Sequence, residues 1–218
     1  MVLKCILAAV IGYLLGNVPS GVLIAKGYGI ADIRKHGSGN TGTTNVLRTL
    51  GWLPSVLTLV CDVLKGYIPC LIGRWLCGDA GMLLGGLCAI LGHDFPVFMG
   101  FKGGKGIATS LGLILAINPW LALALLVVQI IAVALTRYMS VASLITTVAF
   151  PILVGFTERG RENFPLFLGA ACIASALSLF GHRSNIQRLI RGEENRLDFQ
   201  KISKVSEKVL SKMKRNNS

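Results

Sequence analysis

The chain has 218 residues, of which 53% are hydrophobic and only 15% charged, and its mean hydropathy is +0.65. A soluble domain carries about 25% charged residues, so this composition excludes an ordinary soluble protein and predicts an integral membrane protein. The formal net charge is +12, from 22 Lys and Arg residues against 10 Asp and Glu residues. The six cysteines have neither Cys-x-x-Cys nor metal-ligand spacing. We therefore expect them to be small buried side chains, and we expect no metal site.

Apolar segments long enough to cross a bilayer recur along the chain. They are residues 5–25, 52–76, 80–99, 107–135, 139–157 and 164–180. We expect the first to remain uncleaved, because no small-x-small cleavage site precedes Lys26, and to break near Pro19. The segment 107–135 is interrupted at Asn118-Pro119, so it is either one long tilted helix or two shorter helices.

The distribution of basic residues decides between these alternatives. Lys and Arg cluster in residues 26–51, 100–106 and 181–218. A break at Asn118-Pro119 gives seven segments, and only then do all three clusters and Arg137 lie on the cytoplasmic side, with the N-terminus outside. Residues 107–117 span only about 16 Å of helix, so that segment is short or re-entrant. We predict an all-α integral membrane protein, a compact bundle of about seven transmembrane helices, some short or broken, with a cytoplasmic C-terminus.

The longest polar, glycine-rich stretch is residues 37–51. Its glycines permit a sharp turn that presents backbone N–H groups, and Arg48 adds a planar fork that suits phosphate oxygens. If a helix begins near Thr43 or Thr44, Asn45 and Arg48 share one face of it. The stretch is therefore either an anion-binding cradle at a helix start or an ordinary turn between apolar segments.

Ionisable residues also occur inside the apolar segments. Asp62 and Lys65 are three positions apart and share a helix face. Charged groups at membrane depth are costly, and a site role and a structural ion pair are equal alternatives here. His93 is likewise either a donor that orients a ligand or a structural residue at a helix end.

A second polar cluster includes Gly103-Gly104-Lys105-Gly106, which precedes an apolar run. This pattern indicates a second phosphate-binding turn at a helix N-terminus. It is not a P-loop, because Gly106 stands where that motif requires Ser or Thr, so an ATPase is disfavoured. A third cluster runs from Gly181 to Glu194. On one membrane face, the three clusters are able to build one site for a small, multiply charged anion.

We expect residues 1–197 to form a single polytopic membrane domain and residues 198–218 to form a basic cytoplasmic tail. The tail places Ile202, Val205 and Val209 at helical spacing among lysines. It is either an interfacial helix on anionic lipid or, the interpretation that we favour, a solvated basic segment that helps to set topology.

Three motifs, in order, resemble those of one bacterial enzyme family. They read Gly37-Ser-Gly-Asn-Thr-Gly-Thr-Thr-Asn-x-x-Arg48, then Gly92-His-x-Phe-Pro-Val-Phe98 with Phe101-Lys-Gly-Gly-Lys-Gly-Ile-Ala-Thr109, and His182-Arg-x-Asn-Ile-x-Arg-Leu-x-x-Gly-x-Glu194. From about residue 10 to about residue 194 the chain resembles the acyl-phosphate-dependent glycerol-3-phosphate acyltransferases (PlsY). Tyr13-Leu-Leu-Gly-Asn-Val-Pro-Ser20 and Asp62-x-x-Lys65-Gly66 also resemble that family, whereas Thr43 stands where it usually has alanine.

The resemblance implies transfer of a fatty acyl group from acyl phosphate to the 1-hydroxyl of sn-glycerol 3-phosphate. The products are lysophosphatidic acid and phosphate, and the reaction is the first acylation step of phospholipid synthesis. It also implies a multi-pass monomer in the bacterial cytoplasmic (inner) membrane, with its site facing the cytoplasm and with membrane lipid around it. No cofactor and no nucleic acid partner are expected. Acyl phosphate is already activated, so positioning and electrostatic stabilisation are expected to supply most of the catalysis.

The resemblance also implies roles for particular residues. Those expected to bind and orient glycerol 3-phosphate are Ser38, Arg48, Lys105, His182 and Asn185. Those expected to hold the acyl-phosphate head are Asn40, Gly42, Thr43, Thr44 and Asn45. Gly103 and Gly104 are expected to let the backbone approach phosphate, and Lys102 to attract anions. Further candidates for substrate contact are Lys65, His93, Ser143 and Arg183. Glu194 is expected to be a structural partner of Arg183 or Arg188.

A membrane transporter of a phosphorylated solute is the alternative. It accounts for the spans and the basic clusters, but transporters usually bind near the midplane and carry inverted repeats, and the sequence has no visible repeat. A scaffold without chemistry leaves the density of hydrogen-bond donors unexplained. Chemical turnover in detergent, where no gradient exists, separates these classes.

Overall fold

The computed structural model describes residues 1–216, and all regular structure in that range is helical. The helices are α1 (Val2–Gly16), α2 (Ser20–Gly27), α3 (Thr43–Leu50), α4 (Trp52–Asp94), α5 (Ile107–Ile117), α6 (Pro119–Thr136), α7 (Met139–Thr157), α8 (Phe164–Gly181), α9 (Arg183–Ile190) and α10 (Phe199–Asn216). Short 3₁₀ turns occur at Ile33–Lys35 and Val97–Met99.

Within residues 1–216, five stretches are long and apolar enough to cross a membrane, by length and composition. They are Val2–Gly27, Trp52–Met99, Pro119–Thr136, Met139–Thr157 and Phe164–Gly181. The first is interrupted between α1 and α2 at Pro19, which cannot donate a backbone hydrogen bond, so the predicted break is confirmed. The outer surface is apolar: Trp120, Leu135 and Phe156 are 79–80% exposed. Contact of such side chains with lipid is favourable, whereas their contact with water would cost free energy.

Helix α4 is two passes joined by a reversal. Its backbone is non-helical at Cys77 and Gly78, and Gly78 has a φ of 63°, a value that favours glycine. Beyond this point the second half returns along the first, with Gly81 against the backbone of Gly73 and Gly85 against Pro69. The predicted segments 52–76 and 80–99 are thus confirmed as an antiparallel helical pair.

The break at Asn118-Pro119 is also confirmed. The Asn118 side chain accepts hydrogen bonds from the N–H groups of Trp120 (3.0 Å) and Leu121 (3.3 Å), and Pro119 occupies the first turn of α6. An asparagine cap followed by proline is a strong helix start. Helix α5 is consequently a separate short apolar helix. With the reversal in α4, the chain has the seven predicted segments.

Close contacts between small residues hold the bundle together. Gly12 and Gly16 of α1 lie against Gly85 and Ala89 of α4, four residues apart on both helices. Lipid tails are as apolar as leucine, so van der Waals contact between closely approaching backbones drives such packing. Tyr13 and Asn17 continue the same interface. The Tyr13 hydroxyl donates to the Phe95 backbone carbonyl (3.0 Å), and the side-chain Oδ1 of Asn17 accepts from the Val97 N–H (2.6 Å), which fixes the loop after α4.

The segment after residue 197 is not a simply solvated tail, so that expectation was wrong. It forms α10, which packs on α3 and α4 and buries Ile202. The Phe199 ring stacks on Trp52 with centroids 6.5 Å apart, and the Ser206 hydroxyl accepts from the Trp52 N–H at 3.1 Å. The lysines at 201, 204 and 208 remain exposed. The alternation of apolar and basic residues therefore reflects a packed face and a solvated face.

The cysteines also differ from expectation. Cys70 is buried as predicted, but Cys61 and Cys172 are exposed. Cys5 and Cys77 form a disulfide, although 72 residues separate them in the chain. Spacing in the sequence could not reveal this pair, because only the reversal in α4 brings Cys77 to the start of α1.

We predict that Gly12→Ala destabilises the protein, because a Cβ at this position collides with the Gly85 carbonyl. Overpacking of this kind costs about 1–3 kcal/mol. The matched control is Gly169→Ala in α8, where no described atom lies within 4 Å of the added Cβ. Thermal unfolding in detergent is the measurement, and equal melting temperatures for the two variants would contradict the close contact.

Candidate functional site

One cavity of about 300 Å³ runs from the N-termini of several helices into the apolar interior between α5, α6, α7 and α8. Twelve of the residues predicted for the site line it. They are Ser38, Asn40, Gly42, Thr43, Thr44, Asn45, Arg48, His93, Lys105, Ser143, His182 and Asn185. Lys65, Lys102, Gly103, Gly104 and Arg183 were also predicted, and they lie outside this lining. We call the part near residues 38–48 and 105–108 the polar end of the cavity.

Four helices begin at the polar end. The N-cap Gly42 of α3 and the N-cap Gly106 of α5 line the cavity, as do Ser140 in the first turn of α7 and His182 at the N-cap of α9. Gly106 has a φ of 71°, which a residue with a side chain rarely adopts. The first N–H groups of a helix have no partner within it, and its dipole is positive there. The polar end therefore attracts anions before any side-chain charge is counted.

Asn45 holds the glycine-rich loop in shape. Its carbonyl oxygen accepts from the Ser38 N–H (2.8 Å), and its amide nitrogen donates to the carbonyls of Ile33, His36 and Asn40 (2.8–3.2 Å). The side chain is 1% exposed. These bonds use the hydrogen-bonding capacity of the amide, so Asn45 positions the loop although it was predicted to hold a ligand.

Arg48 reaches the same end of the cavity from α3. One terminal nitrogen donates to the Asn195 carbonyl at 3.0 Å. Its Nε is buried and has no hydrogen-bond partner within residues 1–216. Burial lowers the pKa of Arg48, and Arg188 adds to this effect while Glu194 opposes it, yet a guanidinium stays protonated in proteins. A buried, charged donor without a partner is poised to receive an anion.

Lys105 is held by a chain of hydrogen bonds that ends at Glu194. The Lys105 ammonium donates to the Asn185 carbonyl oxygen, and the Asn185 amide donates to Glu194 Oε1 at 2.9 Å. Glu194 also accepts from the Ser140 hydroxyl (3.1 Å) and from Arg188 Nε (2.8 Å). The expectation that Glu194 is a structural partner of Arg183 or Arg188 is confirmed for Arg188.

Electrostatics tune two groups in this network. Burial lowers the pKa of Lys105 to about 8, with Arg188 and Arg48 adding to the effect and Glu194 opposing it. Burial also opposes ionisation of Glu194, but its hydrogen bonds from Asn185, Arg188 and Ser140 together hold its pKa below the usual value. Near neutral pH the site therefore contains a carboxylate and an ammonium ion that deprotonates within reach of physiological pH.

His182 is neutral at physiological pH. Burial and the Lys105 charge lower its pKa to about 4. Its Nδ1 lies 2.8 Å from the Ser178 carbonyl, which can only accept, so Nδ1 carries the proton. Nε2 is left with a lone pair that can accept a hydrogen bond from a ligand hydroxyl.

Gly103 and Gly104 serve packing and do not offer their N–H groups to a ligand. Their N–H groups donate to the carbonyls of Asp94 (3.1 Å) and His93 (3.0 Å) at the end of α4. A Cβ on Gly104 would collide with the His93 imidazole. The N–H groups of these two glycines are therefore not free for phosphate, whereas the neighbouring N-terminus of α5 lines the cavity. Lys102 is exposed.

Lys65 is paired with Asp62 and does not line the main cavity. The Lys65 ammonium lies 2.8 Å from Asp62 Oδ1 and donates to the Val18 carbonyl at 2.8 Å. This geometry favours the structural ion pair of the two alternatives for Lys65. Asp62 and His93 line the cavity, with His93 Nδ1 3.7 Å from Asp62 Oδ1.

Arg183 points away from the cavity, which contradicts its predicted contact with substrate. It donates to the Phe180 carbonyl at 3.0 Å, and its guanidinium lies 4.4 Å from the centroid of the Phe180 ring. At the C-terminus of α8, this cation faces free carbonyl groups.

Several lining residues were missed by sequence reasoning. The hydroxyl-bearing ones are Ser110, Ser140, Thr146, Thr147, Ser175 and Ser178, and the larger apolar ones include Leu111, Ile114, Leu125 and Phe150. Ser140, Ser143 and Thr147 recur at helical spacing on one face of an apolar helix. That periodicity was the available signal. Apolar lining residues give none, because they look like any other buried residue.

The fold and the cavity define an integral membrane protein with one cavity that has an anion-attracting end and an apolar end. Residues 6–192 match the family described as glycerol-3-phosphate acyltransferase. The chain therefore belongs to the glycerol-3-phosphate acyltransferase family.

Relatives agree with this assignment over almost the whole chain. The glycerol-3-phosphate acyltransferase of Geobacter sulfurreducens is 44% identical over 197 residues, which are 90% of this chain and 98% of that protein. The enzyme of the same name from Thermoanaerobacter pseudethanolicus is 40% identical over 192 residues, 88% of this chain and 95% of the relative.

Two crystal structures of PlsY, an integral membrane glycerol 3-phosphate acyltransferase, have the same fold. The glycerol 3-phosphate form superposes with a TM-score of 0.83 at 39% identity and covers 91% of this chain and 98% of that chain. The lysophosphatidic acid form gives 0.81 at 38% identity and covers 91% and 97%.

We predict that glycerol 3-phosphate binding weakens above pH 8. Lys105, with a pKa of about 8, loses its charge there, and each further pH unit weakens binding by up to about tenfold. Lys105→Arg keeps its charge and should show a flat profile up to about pH 10. Calorimetric titration of the purified protein measures the dissociation constants. The same alkaline weakening in Lys105→Arg would exclude Lys105 as its source.

Glu194→Gln should move this alkaline weakening to lower pH, because the Glu194 charge raises the pKa of Lys105. Glu193→Gln removes the same charge from the exposed neighbouring residue and serves as the matched control. The pH at which binding has halved is compared among the three proteins. Identical midpoints would show that Glu194 does not act on Lys105.

Proposed function

We propose that this protein transfers a fatty acyl group from acyl phosphate to the 1-hydroxyl of sn-glycerol 3-phosphate, releasing lysophosphatidic acid and phosphate. The observation that carries the proposal is a single cavity with an anion-attracting end and an apolar end. Acyl phosphate has an anionic head and an apolar chain, which match the two ends of the cavity. Glycerol 3-phosphate needs only the anion-attracting end. The names of the relatives and the two ligand forms of PlsY support the acceptor and the product.

Glycerol 3-phosphate binds, in this proposal, between the two partly buried cations of the polar end. Arg48 offers its free Nε, and Lys105 offers its ammonium, to the phosphate oxygens. Ser38 lies at the exposed rim and adds a hydroxyl. His182 accepts a hydrogen bond from a glycerol hydroxyl at Nε2. Asn185 holds the Lys105 ammonium in position through its side-chain oxygen. Charge-assisted bonds to phosphate are strong and directional, so they orient the hydroxyl that reacts.

The acyl-phosphate head binds at the N-terminus of α3, where Thr43 and Thr44 line the cavity with Asn40 and Gly42. Asn45 acts on this head only through the shape of the loop. The acyl chain extends from there into the apolar part of the cavity. Both phosphates then lie against helix N-termini, and the acyl carbonyl lies between them.

The reaction needs no covalent enzyme intermediate. The glycerol hydroxyl oxygen attacks the acyl carbonyl carbon, and the carbon–oxygen bond to phosphate breaks with its electron pair leaving on phosphate. A substrate phosphate oxygen takes the hydroxyl proton, because His182, with a pKa of about 4, is too weak a base to hold it. Helix N-termini and Lys105 stabilise the charge that develops on the carbonyl and phosphate oxygens.

The site faces the cytoplasm of a bacterial inner membrane in this proposal. The support is the positive-inside rule, since residues 26–51, 100–106 and 181–218 each carry clustered Lys and Arg, and residues 38–48, 105–106 and 182–194 contribute to the lining of one cavity. We also propose that the protein acts as a monomer and that residues 198–218 belong to its cytoplasmic side. The cations and helix N-termini of the polar end all come from one chain, which supports the monomer.

The test is acyl transfer from palmitoyl phosphate to glycerol 3-phosphate by the purified protein in detergent. Arg48→Ala should lower kcat/KM by about 10²–10³-fold, since it removes a donor to developing charge. Ser38→Ala removes one neutral donor and should cost about tenfold. Arg183→Ala is the matched control, because this cation lies close in sequence to His182 but faces Phe180.

Three results distinguish the candidates. Release of lysophosphatidic acid and phosphate in equal amounts supports the acyltransferase. Activity near wild type in both Arg48→Ala and Ser38→Ala would overturn the assignment of the site. Transport of glycerol 3-phosphate into vesicles without any chemical turnover would favour a transporter.

A further inference from the structure

The apolar part of the cavity has a measurable depth. Ser140 marks the polar end, because its hydroxyl donates to Glu194 at 3.1 Å. Phe150 lies ten residues further along α7 and lines the same cavity. At about 1.5 Å of rise per residue, Phe150 is about 15 Å from the polar end.

The far end of the cavity is lined by tightly packed side chains. Leu125 of α6, Phe150 of α7 and Ala174 of α8 line it and are each only 2–3% exposed. They belong to one core cluster, so their side chains are held by packing. Phe150 is the largest of the three and the lining residue of α7 that lies farthest from Ser140, and we call it the floor of the cavity. Close-packed interiors yield little to added volume, so a longer chain meets steric resistance there.

The dimensions fit one lipid chain. The hydrocarbon core of a bilayer is about 30 Å thick, so a chain that fills one leaflet is about 15 Å long. The cavity volume of about 300 Å³ is at the lower end of the range for ligand pockets, about 300–1,000 Å³. The cavity therefore has room for a single chain of ordinary membrane length between its polar end and Phe150.

We propose that Phe150 determines the upper limit of acyl-chain length in the transfer reaction. This inference rests on the proposed function, since it concerns the donor that the cavity accepts. The substrate class is an activated, unbranched long-chain acyl group whose terminal methyl contacts the Phe150 ring.

The experiment compares kcat/KM for acyl phosphates of about 12 to about 20 carbons, because each added methylene that finds room is buried favourably. The kcat/KM of the wild-type protein should fall sharply above one particular chain length. Phe150→Ala should move that fall to longer chains by two or more carbons. For the first chain that wild type rejects, activity relative to the preferred chain should rise about tenfold, as expected for two newly buried methylenes.

Two variants make the comparison specific. Phe167→Ala removes an equally buried aromatic ring of the same core cluster that does not line the cavity. It should lower thermal stability as Phe150→Ala does, yet leave the chain-length profile unchanged. Ala174→Leu adds volume at the far end and should move the fall to shorter chains.

If the chain-length profile of Phe150→Ala is the same as that of wild type, Phe150 does not set the limit. The same conclusion follows if Phe167→Ala changes the profile in the same way as Phe150→Ala. Failure of the proposed donor gives a different result. In that case the wild-type protein turns over another activated acyl donor and not acyl phosphate. The same series of chain lengths, measured with that donor, still locates the upper limit of chain length and still tests the role of Phe150.

Discussion

The structure depends on keeping a partly buried ammonium ion charged. Lys105 loses most of its water, and this desolvation, together with the charges of Arg188 and Arg48, lowers its pKa to about 8. What opposes the loss is a relay from Asn185 to Glu194, whose carboxylate is fixed in turn by Ser140 and Arg188. The relay joins the loop before α5, the start of α7 and the segment after α9. Removing one member would leave a buried polar group unsatisfied, which costs more than the bond itself contributes.

Desolvation also explains why the polar end of the cavity is suited to the proposed acyl transfer. Two phosphate-bearing ligands repel each other in the open, and the helix N-termini and cations at the polar end offset that repulsion. In the proposed reaction these groups are already oriented, so no reorganisation is needed when charge moves from the acyl carbonyl to the departing phosphate. The apolar part of the cavity excludes water next to an activated acyl group, which limits its hydrolysis.

Much of the fold could be predicted from the sequence because its breaks are local. Pro19, Gly78 and Asn118-Pro119 interrupt helices through their own backbone chemistry, and the apolar segments around them have no other stable role. The three polar motifs likewise indicated most of the polar end. The roles within them could not be predicted, because Asn45 and Gly104 are defined by partners that the fold supplies. The same holds for Phe150, whose place at the cavity floor depends on three helices.

The contacts of the segment between α9 and α10 have a consequence for the order in which the protein matures. Arg48 is held by the carbonyl of Asn195, and the Leu197 N–H donates to the Arg137 carbonyl at 2.8 Å. These contacts belong to residues that the ribosome makes after every membrane span, whereas Arg48 is made early. A chain already threaded into the bilayer would still lack one side of the polar end of its cavity. The polar end is therefore completed only when the segment after α9 has been made.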